Sequence, residues 1–492
     1  MAAKKACGGF LLVSATIFLI FAIVLLVAFP IAIFKSLVRT QSQLKRDADG
    51  QYTKATFYWA EPPAETSYDF YLFDFQNADN LTFFGETPLV QQRGPYAWKT
   101  RRGRSTFRPG GVVDYEVHKT WRYTQEESCD GCSYDDEITL PNLSIATMAR
   151  LLLENAPKLT STQLLLADLT PLLLGIYPFS TVKMRDVLFI GYTDALLDFL
   201  QSDLKKDLDK QFGNLLGFDP PPIPLLGYFA AYNDTTDGQY TAMTGATADV
   251  KTGLIQSWRN MTKLPWWKTN ETNDLTDTTD GALSGLPFLC RHLVLDFAAK
   301  EKVEGIPVYR FDFNPNNFNP YEKQFAGYEF NNTEDVDYFP NWDPTKSGNL
   351  TNSLGNHRLR KDSSNRPPPE AVSSINGLAP DPANHSLGSF WIQPTVGSAL
   401  KADVRSQLNI AVYQNDMITS LKHTKSALVP CFWLHTRVHL RPYAYDFIRK
   451  GTVTVPMVAF WTGIGFAAAF GACVLLLLAL FCRLRKSNSV SL

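Results

Sequence analysis

The 492-residue sequence lacks the signals of several large protein classes. Its 47 basic and 48 acidic residues nearly cancel, and a formal net charge of −1 gives no reason to expect nucleic acid as a partner. There is no G-x-S-x-G and no H-E-x-x-H motif, so we predict no catalytic residues, no cofactor and no enzyme activity. The best metal candidate is Cys431 with His435 and His439, but the aromatic and β-branched residues around them predict an extended strand, and no metal site is predicted.

Cysteine is also scarce, with seven residues in the chain. Four lie in the long central part: Cys129, Cys132, Cys290 and Cys431. An oxidising compartment would allow up to two disulfides among them. The pair Cys129 and Cys132 is half of a zinc-binding pattern, but no second pair follows at zinc spacing, so a Cys129–Cys132 disulfide or free thiols is the preferred interpretation.

Long apolar runs are present at the two ends of the chain. The run at 10–34 has 25 uncharged residues, enough at about 1.5 Å each to cross a hydrocarbon core of roughly 30 Å. A signal peptide would have a shorter core of about 7–15 residues and a cleavage site. We therefore predict a cytosolic tail at 1–9, spans at 10–34 and 455–482, an intervening domain at 35–454 and a second cytosolic tail at 483–492.

The intervening domain carries eight N-x-S/T acceptor sites for glycosylation. They are Asn80, Asn142, Asn233, Asn260, Asn270, Asn331, Asn349 and Asn384. Because none lies in the tails or spans, we predict that the domain is extracellular or lumenal and that both termini are cytosolic. Asn233 and Asn270, in polar segments, are expected to be better acceptors than Asn142, which is close to a helix start. Cys7 and Cys482 flank the spans and are either palmitoylated or unmodified.

The residue composition of the domain changes twice along the chain. Its first third, including "TFYWA" and "YDFYLFDFQN", is aromatic and β-branched, which predicts strands. Residues 145–216 are rich in leucine and interrupted by proline, which predicts a helical insert, and strand-like sequence resumes after Gly227.

Leucine forms three triplets in the helical insert, at 151–153, 164–166 and 172–174. Three consecutive positions cover about 300° of a helix, more than one core-facing stripe. Helices of this length are too short to span a bilayer. The excess leucine is therefore either buried between helices or exposed as a patch for a lipid or a protein.

Five ordered motifs between the two spans resemble the class B scavenger receptor family. They are "FYLFDFQN", "QRGPYAW", "YNDTTDGQY", "LCRHLVLDFAAKEKVEGIPVYRF" and "LVPCFWL". The resemblance implies a mixed β with α fold, in which an irregular antiparallel β-barrel with an apolar tunnel is topped by a membrane-distal helical bundle and anchored by two transmembrane helices. In "QRGPYAW", Gly94 and Pro95 are expected to make a structural corner, with Tyr96 and Trp98 on one face.

The resemblance also gives the excess leucine a use, because the bundle of this family receives ligands and the tunnel is thought to deliver lipid to the bilayer. The expected contacts are apolar at Leu152, Leu165 and Leu173, and basic at the mouth. The basic candidates, whose alternative role is solvated surface charge, are Arg150, Lys158, Lys183 and Arg185. The expected partners are membrane lipids, fatty acids or sterols, lipoprotein-like particles or a protein ligand.

Two features depart from the family and one alternative function stays open. No cysteine occurs between Arg291 and Pro430, so the usual disulfide network cannot form, and Cys290 either pairs with Cys431 or stays a buried thiol. Basic residues are sparse on the outer bundle, so lipoprotein recognition is not assumed.

The alternative function is a lysosomal, endosomal or adhesive receptor that binds a protein through the bundle without lipid transfer. The plasma membrane is the preferred location, because the C-terminal tail has no acidic dileucine signal.

Overall fold

The computed structural model describes residues 2–104, 111–214, 216, 225–230, 233–245, 252–253, 255–260, 262, 295–314, 375–379, 387–412, 414–424 and 427–489. The helices within these residues are α1 (Ala2–Ile23), α2 (Phe34–Ser42), α3 (Lys54–Ala60), α4 (Ala78–Phe84), α5 (Leu143–Asn155), α6 (Ser161–Leu173), α7 (Ala195–Gln201), α8 (Asp203–Phe212), α9 (Pro442–Arg449) and α10 (Val455–Ser489).

Both ends of the chain are long apolar helices. At the N-terminus, α1 continues through a π-helical segment, Val24–Ile33, into α2. At the C-terminus, α9 continues through a second π-helical segment, Lys450–Thr454, into α10. Gly8–Ser42 and Pro442–Arg483 are both long and apolar enough to cross a membrane, and little of either is buried against the protein. Their outward-facing apolar side chains therefore suit a lipid environment.

Ten strands form one antiparallel sheet. Their bounds are β1 (Ala64–Phe75), β2 (Val90–Arg104), β3 (Val112–Tyr123), β6 (Thr235–Met243), β7 (Ile255–Trp258), β8 (Leu295–Val303), β9 (Ile306–Phe313), β10 (Gly388–Gln393), β11 (Ser398–Val412) and β12 (Ala427–Leu440). Their order is β7-β6-β3-β2-β1-β12-β11-β10-β9-β8, and β4 (Glu137–Pro141) pairs with β5 (Phe179–Lys183) in a separate hairpin. The fold is thus mixed, with a large antiparallel sheet. Within the described residues no pairing joins β7 to β8, so the expected barrel is found there as an open sheet.

The main core lies on one face of the central strands. Phe70 and Leu72 of β1 sit opposite Leu434 and Phe432 of β12, and all four side chains are buried. Aromatic side chains from β2, β3, the helical insert and the segment after it pack on this face. The rings packed there include Trp98, Trp121, Phe189 and Phe229. Between these positions, Tyr71 of β1 and Trp433 of β12 are half-buried on the opposite face, as the period of two in a strand predicts.

The corner predicted in "QRGPYAW" is a bulge rather than an end of β2. The Gly94–Pro95 peptide is cis, and the pairing of β1 with β2 shifts register between Phe70 and Leu72. Gly94 has φ of 129°, and a Cβ there would lie 2.5 Å from the Phe70 carbonyl oxygen. Tyr96 and Trp98 are both buried in the core, as predicted for one face.

β1 and β12 define a direction relative to the two spans. Ala64 at the start of β1 pairs with Leu440 at the end of β12, and Leu440 is followed within two residues by α9 and the C-terminal span. The 12 residues of β1 rise about 3.3 Å each, which places Phe75 roughly 36 Å further along the strand from the spans. We call the Phe75 end distal and the Ala64 end proximal.

The helical insert is attached at the distal end. The Thr139 amide of β4 donates to Asp74 Oδ1 at 2.8 Å, and the Phe75 and Phe179 rings lie 4.9 Å apart. Since α5 and α6 lie between β4 and β5, they are held at this end. Helices α5 to α8 lie between Leu143 and Phe212, with β5 between α6 and α7.

One predicted strand is wrong. The segment "TFYWA" lies in α3, because Thr53 caps the helix and the Thr56 hydroxyl is held by the backbone of Lys45, from whose amide it accepts and to whose carbonyl it donates, both at 2.8 Å. These tertiary contacts override the strand preference of the aromatic residues.

Candidate ligand-binding site

Helix α6 has a narrow buried face and a wide exposed one. It begins with a capping box in which Thr160 and Gln163 satisfy each other's backbone amides. Its buried residues are Ala167 and Pro171, both small, so the surrounding leucines are not all drawn into the core. Leu165 is 55% exposed and Leu173 is 80% exposed. Of the two interpretations of the leucine excess, exposure applies to α6.

Helix α4 contributes a second exposed apolar face beside α6. Leu81 is buried under the helix, while Phe83 and Phe84 point outward, and Phe84 is 76% exposed. Gly85 ends α4 in the left-handed region, with no space for a Cβ, which would lie 2.8 Å from the His423 carbonyl oxygen. The Phe83 ring packs edge-on against Tyr177, 5.4 Å away, just after α6.

These residues form one distal apolar surface. We define it by its six exposed side chains: Phe83, Phe84, Leu165, Leu172, Leu173 and Tyr177. Sequence reasoning found Leu165 and Leu173 but missed the α4 residues, because a seven-residue helix gives little periodic signal. The adjacent phenylalanines before a glycine were the available clue.

A polar contact fixes α6 in place. The Thr419 amide donates to Asp168 Oδ1 at 2.5 Å, and the Thr419 hydroxyl donates to Oδ2 at 3.0 Å. Thr419 begins a 3₁₀ turn between β11 and β12, so α6 is anchored to the central sheet. Beneath α4 lies an apolar recess lined in part by Leu81, Phe179 and Val429. The Thr419–Asp168 contact therefore ties the distal apolar surface to the central sheet.

The other predicted contact residues are dispersed. Leu152 is fully buried in the main core, so it does not belong to a surface patch, and this part of the prediction is corrected. Lys158 is exposed after α5, and Arg150 lies in α5, but its side chain is outside the described residues.

Two of the predicted basic residues are engaged in ion pairs. Lys183 Nζ lies 3.4 Å from Asp135 Oδ1, and Arg185 Nη1 lies 2.8 Å from the same oxygen. Arg185 Nε also pairs with Asp186 at 3.3 Å. Their shared carboxylate offsets the charge that a lipid head group would meet.

The metal candidate does not assemble. Cys431, His435 and His439 lie along β12 at intervals of about 13 Å, since four strand residues separate each from the next. His435 Nε2 lies 3.0 Å from Asp403 Oδ1, and burial raises the pKa of the Cys431 thiol to about 12. Within the described part of the chain, no group of three or more His, Cys, Asp or Glu side chains could hold a metal ion.

The cysteines differ in their bonding state and exposure. Cys129 and Cys132 are joined in a disulfide. Cys431 is a buried thiol. Cys290 lies outside the described residues, and the predicted Cys290–Cys431 pairing lies outside them with it. Cys482 is exposed near the end of α10.

The predicted glycosylation sites differ in accessibility. Asn80 and Asn260 are exposed. Asn142 is buried, and its Oδ1 accepts from the Ser144 amide at 2.9 Å. Asn233 is half-buried, with its side chain bonded to both the amide and the carbonyl of Trp121. Four sites are outside the described residues: Asn270, Asn331, Asn349 and Asn384.

Comparison with known proteins gives one consistent result. The CD36 family model matches residues 13–335 and 366–483. Human lysosome membrane protein 2 is 25% identical over 416 residues, which cover 79% of this chain and 78% of the relative. Bovine scavenger receptor class B member 1 is 24% identical over 450 residues, 87% of this chain and 81% of the relative.

An uncharacterised protein of Caenorhabditis elegans is 25% identical over 509 residues, 93% of this chain and 94% of the relative. Together with the two apolar terminal helices, these matches confirm a receptor-type membrane protein located in the plasma membrane or the lysosomal membrane.

Proposed function

The chain belongs to the CD36 family, and from this premise we propose that it binds lipid or lipid-bearing particles at the distal apolar surface and passes lipid through its ectodomain to the bilayer. The observation that carries the proposal is the exposure of six large apolar side chains on α4, α6 and the turn after α6. Exposed apolar patches of this kind mark binding sites in otherwise soluble domains.

The position of the distal apolar surface supports this role. It lies at the end of β1 opposite the spans, where particles outside the membrane can reach it. Leu165 and Leu172 are seven residues apart and therefore share a face of α6, and Tyr177, just after α6, contacts Phe83 of α4. An acyl chain or an apolar particle surface can lie across both helices.

Burial of an acyl chain at the distal apolar surface can supply enough free energy for binding. Moving one methylene out of water contributes about 0.8 kcal/mol, so full burial of a chain of roughly 16 carbons contributes on the order of 10 kcal/mol before ordering costs. A surface patch covers only part of such a chain, so the surface captures lipid reversibly. Reversible capture suits a receptor that hands its ligand on.

Head-group selectivity is expected to be weak at this surface. Lys183 and Arg185 already share Asp135, and Asp168 is occupied by Thr419. Of the predicted cations with described side chains, this leaves Lys158 as the exposed one without a described ion pair. Apolar contact therefore dominates binding. The proposed movement of lipid from the distal apolar surface to the bilayer is supported by family membership. It is also supported by the apolar face of the sheet, which extends between the distal apolar surface and the spans.

The test is a pair of charge substitutions on α6. Leu165→Asp with Leu173→Asp should lower uptake of fluorescent acyl lipid by at least fivefold, because two carboxylates would have to be desolvated against the ligand. Surface expression should be unchanged, since both side chains are exposed. Leu204→Asp on α8, which is 61% exposed in the native protein, is the matched control and should leave uptake unchanged. Normal uptake in the double variant would reject this placement of the binding surface.

The alternative function uses the same surface for a protein ligand, without lipid transfer, in a lysosomal or endosomal membrane. It is favoured by the form of the surface, which consists of outward helix faces with a phenylalanine and a leucine projecting furthest. Such projecting anchors suit a protein interface. Mass spectrometry of lipids extracted from the detergent-purified chain separates the two functions. Co-purified acyl lipid or sterol supports transfer, and a stoichiometric protein with no lipid supports the alternative.

A further inference from the structure

The proximal end of the domain carries a second exposed apolar feature, formed first by α3. This helix buries Thr56 and Ala60, and Trp59 packs edge-on against Tyr115, 4.9 Å away. Those contacts fix which side of α3 faces the domain. Phe57 therefore points outward and is 46% exposed.

Helix α9 presents a matching outward face. Ala444 and Tyr445 are buried, and the Tyr445 hydroxyl donates to the Leu400 carbonyl at 3.0 Å. Tyr443 and Phe447, four residues apart, share the opposite side of the helix. They are 49% and 40% exposed.

The two outward faces join into one structure. The Tyr58 ring centroid lies 6.1 Å from that of Tyr443 and 5.5 Å from that of Phe447. Lys54 Nζ lies 4.5 Å from the centroid of Phe447, within range of a cation–π interaction. We call Lys54, Phe57, Tyr58, Tyr443 and Phe447 the proximal aromatic ridge.

The chain fixes the depth of this ridge relative to the membrane. α9 runs through a π-helical segment into the C-terminal span without a break. Phe447 precedes Gly451, the first residue of the uncharged stretch, by four residues, or about 6 Å. The head-group layer is about 5–8 Å thick on each side of the hydrocarbon core. The ridge therefore lies at the level of the head groups.

The composition of the ridge suits that level. Tyrosine is enriched at membrane interfaces because its ring is apolar and its hydroxyl is polar. Lysine can lay its methylenes along apolar surface while its ammonium stays in the polar layer. The nearby carboxylate of Asp446 is paired with Arg449 at 3.2 Å, so it presents little unpaired negative charge to the lipid phosphates.

We infer that the proximal aromatic ridge inserts into the head-group layer of the leaflet from which the domain emerges, and so forms a lipid contact outside the uncharged stretch that begins at Gly451. The occupant is the bilayer itself, because the helix continuous with the span holds the ridge against it. The contact orients the domain on the membrane. It does not depend on ligand capture at the distal apolar surface.

The test uses the full chain in phosphatidylcholine nanodiscs. Phe57 or Tyr443 is replaced, one at a time, by photoreactive p-benzoylphenylalanine, and the irradiated protein is analysed by peptide mass spectrometry. Lipid adducts are expected at both positions. The control is the same replacement at Phe297, which is 53% exposed on β8 and about 20 Å along the strand from Val303 at its proximal end.

Adduct yields at Phe57 and Tyr443 should exceed the yield at Phe297 by at least tenfold. Equal yields, or a cross-link between two protein chains in place of lipid, would overturn the inference. Phe447→Asp should lower the yield at position 57 at least threefold, because a carboxylate drives the ridge out of the layer. The adducts should persist with Leu165→Asp and Leu173→Asp present, and their loss there would show that the lipid comes from the distal surface instead.

Discussion

At the residue scale, Gly94 shows how a single position can fix a strand. Its φ of 129° favours glycine, and an added Cβ would lie 2.5 Å from the Phe70 carbonyl oxygen. Gly94→Ala should therefore destabilise the domain by about 2–4 kcal/mol, the sum of backbone strain and displacement of β1. Thermal unfolding of the detergent-purified protein measures this loss.

Gly111→Ala is the matched control for that substitution. Gly111 also has a positive φ, of 88°, but a Cβ there would meet nothing within 4 Å. Gly111→Ala therefore introduces the backbone strain without the steric clash, and it should lower the stability of the domain by less than Gly94→Ala does. Equal destabilisation of the two variants would mean that the close approach of β1 at Gly94 is not important.

His439 makes a pH-dependent contribution at the proximal end of β12. His439 is exposed, but partial desolvation by its neighbours, then the positive charges of Lys401 and Arg437, lowers the pKa of its imidazole from the ordinary value of 6.5. The unfolded chain therefore binds the proton more tightly than the folded chain does. Stability is unaffected well above pH 6.5 and falls as the pH drops through 6.5 towards the lowered pKa.

Replacing this imidazole should flatten the pH dependence of stability. His439→Gln should show a smaller fall in Tm between pH 7.5 and pH 5.5 than the native protein. An unchanged slope in His439→Gln would remove His439 as a source of acid sensitivity.

The limits of sequence prediction are visible in single leucines. The triplets predict that some leucines must leave the core, but not which. Leu152 of α5 is buried in the main core, whereas Leu165 is exposed on α6, whose buried residues are Ala167 and Pro171. That difference depends on how the β4–β5 hairpin places the two helices, which is a tertiary property.

At the element scale, Arg93 joins β2 to the hairpin that carries the distal helices. Its Nη2 lies 3.0 Å from Asp136 Oδ2, and its Nη1 donates to the Glu137 carbonyl at 2.8 Å. The Tyr96 hydroxyl donates to the same Asp136 oxygen at 2.8 Å. This part-buried network holds β4 against the sheet.

Arg93→Met should therefore loosen the distal end. The expected cost is about 1.5–3 kcal/mol, as for hydrogen bonds to charged groups, with faster hydrogen exchange in α5 and α6 than in the proximal strands. Lys99→Met removes an exposed ion pair with Glu127 and should cost less than about 1 kcal/mol. Uniform exchange changes across the chain would contradict a local role for Arg93.

Short helices were the elements least accessible from sequence. Both α3 and α4 have seven residues, too few for a helical period to emerge from aromatic-rich sequence. Yet α3 contributes to the proximal aromatic ridge and α4 to the distal apolar surface. The longer insert was predicted as helical because leucine periodicity and proline interruptions extend over many residues.

At the scale of the whole molecule, the apolar ends, the antiparallel strands and the distal helices could all be predicted, because each depends on local composition and on family resemblance. The strand order could not, since β1 pairs with β12 across more than 350 residues of sequence. Closure of the sheet depends on the same kind of long-range pairing. Local patterns carry no information about such partners.

The two ends of the chain meet in the membrane, which makes their packing a property of the whole molecule. The Phe21 and Phe466 rings lie 5.1 Å apart, and Ala22 and Ala459 are buried within the apolar helices. Gly463 approaches Leu26 so closely that a Cβ would lie 2.7 Å from its Cγ. Small residues allow this approach in lipid, where close packing replaces the hydrophobic driving force.

Gly463→Leu should therefore separate the spans. In a chain with Phe21→Cys and Phe466→Cys, oxidation should form a disulfide between the spans, and adding Gly463→Leu should lower its yield several-fold. Gly471→Leu is the control on the same helix, because a Cβ at Gly471 meets nothing within 4 Å, and the yield should stay unchanged. If Gly463→Leu also leaves the disulfide yield unchanged, close packing at Gly463 does not hold the spans together. The domain above them would then be what keeps the spans close.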